Sequence, residues 1–317
     1  MKKIITIGDI LVEIMAEETG IGFAGPIRLI GPYPSGSPAI FIDQVAKLGQ
    51  PCGIVGCVGQ DDFGTLNIKR LQEDGVDISA IAVEPDAVTG TAFVRYRTDG
   101  QRDFVFNIKH SACGLIDLTP AAEALIASAD HLHVMGTALF ANQIVALIRV
   151  AIERIKAKGG TVSFDPNIRK EMLGLDGING ALDFVLAHTD LFLPSGEELF
   201  LFTTARTEEA AVAELLARGI ASIAIKRGAE GASYHDRSNH HVAPAFRVAE
   251  IDPTGAGDCF GAAFVTFWLR GAAPEVALRF ANASGARAVE VKGPMEGAST
   301  QAELEAFVAS HTIGASA

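Results

Sequence analysis

From residue 120 onward, short apolar runs and amphipathic stretches alternate along the chain. The runs at 131–135, 161–165, 190–193 and 221–226 have strand length. The stretches at 120–128, 142–158, 180–188, 207–218, 258–270 and 274–290 carry helical spacing. Buried strands alternating with helices predict a mostly parallel sheet covered on both faces. The pattern also holds nearer the N-terminus, with a strand at 3–8, a helix at 37–48, a strand at 53–58 and a helix at 63–74. The first of these helices is marked by Ser37 as N-cap, Pro38 at the first position and Gly49 past the end. Two segments break the rhythm. Residues 11–33 carry Gly20, Gly22, Gly25, Pro26, Gly31 and Pro32 and read as short strands and turns. Residues 90–109 read as a hairpin turning at Thr98-Asp99-Gly100. Together they predict one small separate sheet, and 231–235 with 239–243 predict a further hairpin-like pair.

A chain of 317 residues can form one large α/β domain or two smaller ones. No linker or repeat divides it, so one domain over 1–317 is expected, with the tail from Gly314 to Ala317 frayed. The net charge of −12, without a basic block, disfavours nucleic-acid binding. Cys52, Cys57, Cys113 and Cys259 are scattered, with neither zinc spacing nor a disulfide framework. The start Met1-Lys2-Lys3-Ile4-Ile5 reads as a strand, since Asp9 and Glu13 interrupt any signal-peptide core. No apolar run is long enough to span a membrane. A cytoplasmic location is the simplest expectation.

The chemistry concentrates in Asp252-Pro-Thr-Gly-Ala-Gly-Asp-Cys-Phe-Gly261. Gly255, Ala256 and Gly257 leave backbone N–H groups unobstructed, and an apolar helical stretch follows at once. A helix N-terminus of this kind is an anion site. Asp258 lies in its first turn. A cradle for a phosphoryl group beside a carboxylate that can accept a hydroxyl proton suits phosphoryl transfer. The same segment matches a loose dinucleotide fingerprint through Gly255, Gly257 and Gly261, but it comes too late in the chain for a complete dinucleotide-binding fold.

This segment resembles the C-terminal motif of the ribokinase-like (PfkB) carbohydrate kinases, and other motifs follow in the family's order. Ser35-Gly36-Ser37-Pro38-Ala39 with Val45-Ala46-Lys47-Leu48-Gly49 is similar to the sugar-side glycine motif. Val58-Gly59-Gln60-Asp61-Asp62-Phe63-Gly64, Asp165-Pro166-Asn167-Ile168-Arg169 and Lys226-Arg227-Gly228-Ala229-Glu230-Gly231 complete the set. The resemblance implies a ribokinase-like three-layer α/β sandwich with a mostly parallel central sheet. The segments 11–33 and 90–109 would form its small β-sheet lid. It implies an ATP- and Mg²⁺-dependent sugar kinase acting on a hydroxymethyl group, with Asp258 as base and Gly255, Ala256 and Gly257 as the anion hole.

Asp9 follows the first strand, where sheet sites lie. With Gly36, Asn107 and Arg169 it is expected on the sugar side, and Glu13 is a lesser candidate. Asn167, Lys226, Gly228, Gly231 and Asn282 are expected on the nucleotide side. Glu198 is implied to act on Mg²⁺ through water, and Asp252 and Thr254 to support a monovalent cation such as K⁺. The chain departs from the family at Ile40 and Ser195, where Asn is usual. Asn107-Ile108 replaces the Tyr and Arg of the sugar-acid kinases. A neutral ketohexose such as fructose or tagatose is therefore expected, with Arg95 and Lys109 as the nearest basic candidates if a sugar acid binds. A 2-keto-3-deoxygluconate kinase, a nucleoside kinase and a non-catalytic sugar-binding regulator remain alternatives. Homodimerisation through the lid is the expected assembly.

Overall fold

The computed structural model describes residues 1–99, 102–168 and 177–312. Gly100 of the expected turn, Arg169 and the tail at 314–317 lie outside them. Among the described residues, the strands are β1 (Ile4–Ile7), β2 (Leu11–Ala16), β3 (Leu29–Ser35), β4 (Cys52–Gly59), β5 (Ile81–Glu84), β6 (Gly90–Tyr96) and β7 (Arg102–Asn107). They continue with β8 (His131–Met135), β9 (Thr161–Asp165), β10 (Leu191–Phe192), β11 (Ser222–Lys226), β12 (Ala232–Asp236) and β13 (His240–Ala243). The helices are α1 (Ser37–Lys47), α2 (Asp62–Glu73), α3 (Pro120–Ser128), α4 (Asn142–Ala157), α5 (Ile178–Ala187), α6 (Glu208–Ala217), α7 (Ala256–Leu269), α8 (Pro274–Val289) and α9 (Gln301–Thr312).

The main sheet runs β13-β12-β11-β10-β9-β8-β1-β4-β5. It is parallel from β11 to β5, and β12 and β13 add antiparallel at one edge. β1 and β4 are buried throughout because helices cover both faces. One apolar cluster packs α3 to α6 on one face, through residues such as Leu125, Ile148, Leu182 and Leu215. A second packs α1, α2, α7, α8 and α9 on the other, through Phe41, Leu71, Phe264, Leu278 and Leu304. All four cysteines are free and buried. Among the described residues, no helix is long and apolar enough to cross a membrane.

Segments 11–33 and 90–109 contribute to a second sheet, in the order β3-β2-β6-β7. Its pairs β2–β3 and β6–β7 are antiparallel and β2–β6 is parallel. Three details differ from the sequence reading. The N-cap of α1 is Gly36, at φ 107°, and not Ser37, which opens the helix. A Cβ at Gly36 would stand 2.3 Å from the Asp9 carbonyl oxygen, so only glycine fits that corner. β5 and α9 were not anticipated: β5 is four residues of mixed exposure, and α9 has a weakly segregated apolar face.

Candidate active site

The carboxyl ends of β1, β9, β10 and β11 face the N-termini of α1 and α7, as open parallel sheets require of a binding cleft. A cleft of about 270 Å³ lies there, lined by Glu13, Ile40, Arg102, Asn167, Lys226 and Asp258 together with the cradle glycines.

Gly255 caps α7 at φ 79°. A Cβ at this position would come 2.3 Å from the Pro294 carbonyl oxygen, so the left-handed turn requires glycine twice over. Ala256, Gly257 and Asp258 form the first helical turn, whose N–H groups have no intrahelical partner. Gly257 lines the cleft, and the nearest atom to a Cβ built on it is Lys226 Nζ, 3.9 Å away. A ligand can therefore approach the backbone here. Asp258 is 6% exposed, and its Oδ1 accepts from Asn167 Nδ2 at 3.2 Å. Asn167 also donates to Ser37 Oγ at 3.1 Å. At φ 38°, Asn167 is the one non-glycine residue with positive φ among the described residues, a strain typical of positioned groups.

Opposite the cradle, Lys226 Nζ pairs with Asp165, which is fully buried at the end of β9. Burial pushes the Asp165 carboxyl up to about 6, against the pull of Lys226. Burial opposes charge on Lys226, but Asp165 and Glu198 outweigh it and hold the ammonium above its ordinary value. The ammonium thus stays charged within a low-dielectric cleft. Glu198 Oε1 accepts from the Ile168 N–H at 2.8 Å, and its Oε2 accepts from the Ser195 N–H at 2.8 Å and from Ser195 Oγ at 2.7 Å. Ser195, where the family usually has Asn, thus fixes the carboxylate directly. No group of three or more metal-ligating side chains occurs among the described residues. The donor set suits a Mg²⁺ ion held chiefly by phosphates and water, with Glu198 as the oriented acid behind it, and not an all-protein cage.

Asp9 is buried beside Gly36, whose built Cβ would lie 3.2 Å from Asp9 Oδ2. Glu13 lines the cleft and accepts from Ser35 Oγ at 2.8 Å, a stronger placement than the sequence suggested. Ile40 also lines the cleft and packs toward Gly255. Asn107 is not brought there: it is exposed at the end of β7. Arg95 is turned away into an ion pair with Asp103 at 2.6 Å, and Lys109 is exposed. Of the basic side chains of the β6–β7 hairpin among the described residues, Arg102 is the one that lines the cleft, with Phe104 beside it. Strand alternation gives the reason. Arg95 faces Asp103 across the hairpin, whereas Arg102 faces Tyr96 and Phe104 faces Val94 on the other side. That register was the missing signal.

Arg102 Nη1 donates to Thr254 Oγ1 at 2.5 Å. Thr254 donates in turn to Asp252 Oδ1 at 2.7 Å, and Asp252 Oδ2 accepts from the Gly293 N–H at 3.1 Å. Gly228 lines the cleft at φ 52°. Gly231 and Asn282 stand behind it. A Cβ on Gly231 would strike the Ala243 carbonyl oxygen at 2.1 Å, and Asn282 Nδ2 donates to the carbonyls of Ala243 and Pro244 at 3.1 and 3.0 Å. These two residues shape the 243–245 loop and do not line the cleft.

The profile of the pfkB family carbohydrate kinases matches residues 1–301. The chain belongs to this family. It is therefore a phosphotransferase with an alcohol acceptor, and its fold is ribokinase-like. The crystal structure of a ribokinase II candidate from E. coli in complex with ATP and Mg²⁺ superposes with a TM-score of 0.93 at 48% identity, covering 98% of this chain and 100% of that one. A fructokinase of Salmonella typhimurium is 32% identical over 95% of this chain and 98% of that protein. A 2-dehydro-3-deoxygluconokinase of Thermoproteus tenax is 28% identical over 96% of this chain and 94% of that protein.

Proposed function

We propose that this sugar kinase uses ATP and Mg²⁺ to phosphorylate a hydroxymethyl group of a ketohexose of the fructose or tagatose type. The observation that carries the reading is Asp258, a buried carboxylate in the same helical turn as the open N–H groups, with Lys226 across the cleft. Asp258 takes the proton of the attacking hydroxyl, and the Gly255–Asp258 backbone holds the negative oxygens of the moving group. Mg²⁺ supplies charge neutralisation on the phosphates, and Glu198 is fixed to hold its water shell. Asp9, Gly36 and Glu13 form the sugar side; Arg169 stays a proposed contact outside the described residues. Lys226, Asn167 and Gly228 serve the nucleotide phosphates, while Gly231 and Asn282 shape the adenine side. Asp252 and Thr254 remain the proposed support for a monovalent cation.

The small sheet acts as a lid that excludes water. Val105 and Phe106 are exposed on it and favour lid-to-lid dimerisation, which sedimentation of the purified chain tests. One observation favours a second reading. Arg102 brings a guanidinium into the cleft and can pair with a carboxylate. That removes much of the electrostatic objection to a sugar acid of the 2-keto-3-deoxygluconate type. The deciding experiment compares kcat/KM for fructose, tagatose and 2-keto-3-deoxygluconate under one Mg-ATP condition. Preference for a neutral ketohexose supports the proposal. Preference for the acid, lost in Arg102→Ala, replaces it with the second reading.

A further inference from the structure

We propose that Arg102 is a positioning residue that latches the lid onto the anion cradle through the Thr254 hydroxyl, so that cleft closure and cradle geometry are set together. The inference rests on the kinase reading above. Its basis is a continuous chain of donors. Arg102 sits on β7, near the tip of the lid hairpin, and its Nη1 donates to Thr254 Oγ1 at 2.5 Å. A threonine hydroxyl has one proton, and that proton is committed to Asp252 Oδ1 at 2.7 Å. The hydroxyl therefore accepts from the guanidinium and donates to the carboxylate, placing a cation and an anion at the two ends of one bridge.

Asp252 is fully buried and also receives the N–H groups of Thr254 and Gly293, both at 3.1 Å. Thr254 is followed directly by Gly255, the residue that turns the chain into α7. A small shift of Thr254 is thus transmitted to the first N–H groups of the cradle.

Other lid strands reach the same junction. Tyr96, opposite Arg102 in the β6–β7 register, faces Asp252; burial and that carboxylate together raise its phenol above the ordinary value. Lys292 Nζ lies 5.6 Å from the centre of the Tyr96 ring. From β3, Tyr33 packs so closely on Gly293 that a Cβ there would stand 2.8 Å from its ring. The next residue, Pro294, supplies the carbonyl against which Gly255 turns. Lid strands β3, β6 and β7 therefore meet the cradle's support at 252–254 and 292–294. Of these contacts, Arg102–Thr254 is the one that reaches directly from the lid to the turn leading into the cradle and lines the cleft.

The test is a double-mutant cycle of Arg102→Ala and Thr254→Val in the full chain. Arg102→Lys and Thr254→Ser serve as conservative controls. Each single change should lower kcat/KM for the sugar about 10- to 100-fold, the loss of one charge-assisted hydrogen bond. The double variant should be no worse than the poorer single one. ADP release should exceed sugar phosphate formed, because an unlatched lid admits water to the cleft. Affinity for an ATP analogue without sugar should stay unchanged, and the two controls should recover most of the rate. Hydrogen exchange supplies a readout independent of turnover: Thr254→Val should speed exchange in 102–107, and Arg102→Ala should speed it in 252–258. Multiplying losses, ADP and sugar phosphate in equal amounts, or no reciprocal exchange effect would overturn the latch. If the wild-type chain phosphorylates no sugar, the function reading fails, and the exchange comparison alone decides the latch.

Discussion

Two glycines two residues apart in the cradle should respond to the same substitution in opposite ways. Gly257→Ala places a methyl whose nearest neighbour outside its own helix is Lys226 Nζ at 3.9 Å, an ordinary contact distance. Its backbone is helical, where alanine is favoured over glycine, so folding stability should hold or rise by up to about 1 kcal/mol. The methyl nevertheless projects into the cleft over the N–H groups. Keeping a phosphoryl group off one such donor costs about 10²–10³ in kcat, or about 2.7–4 kcal/mol of transition-state stabilisation. Gly255→Ala meets the reverse situation. At φ 79° an L-residue costs about 1–2 kcal/mol. Its Cβ would also overlap the Pro294 carbonyl at 2.3 Å, adding about 1–3 kcal/mol of overpacking. Denaturant melts and steady-state ADP release on the two variants check this. Gly257→Ala should be stable and slow, and Gly255→Ala should unfold early. A Gly257→Ala enzyme with near wild-type kcat would show that the phosphoryl group does not sit on this turn.

Glu198→Gln should raise the Mg²⁺ concentration needed for half-maximal rate, because an amide keeps the fold contacts only in part and no longer attracts the ion's waters; an unchanged Mg²⁺ titration contradicts its assignment. His131 and His133 give a pH prediction. Burial lowers His131 to about 3 and holds His133 well below its ordinary value, so both are neutral in the folded chain. The unfolded chain takes up protons below about pH 6.5, so the stability present above that pH is lost as pH falls toward the folded values. Each histidine should contribute about 1.4 kcal/mol of loss per pH unit in that window. Urea melts at pH 7 and pH 5 of the wild type and His133→Gln should show the slope reduced in the variant, and an equal slope refutes the assignment.

Strong local signals made most of the fold legible. The strand–helix alternation gave the parallel sheet because a buried strand must be apolar on both faces, as β1 and β4 are. Gly-rich and Pro-rich punctuation separated the small sheet from it. Legibility ended where pairing across distance decides the outcome. The hairpin segment offers four basic side chains, Arg95, Arg97, Arg102 and Lys109, and only the β6–β7 register selects Arg102 for the cleft. Asn107 looked suited to a sugar, but it ends β7 exposed. The Asp258–Asn167–Ser37 contacts join residues 91 and 130 positions apart, and no local pattern announces them. Ser195 shows the converse: it departs from the family's usual Asn, yet its hydroxyl and N–H together clamp Glu198.

The most direct test of the central claim is the rate of sugar phosphate formation by Asp258→Asn, measured beside the wild type with Mg-ATP and the preferred sugar. Asparagine keeps the size of the side chain and an oxygen for Asn167 but cannot accept the proton. The account predicts ATP binding and thermal stability close to wild type, with kcat reduced about 10²–10⁴-fold. A variant that turns over near the wild-type rate with normal stability would show that Asp258 is not the base.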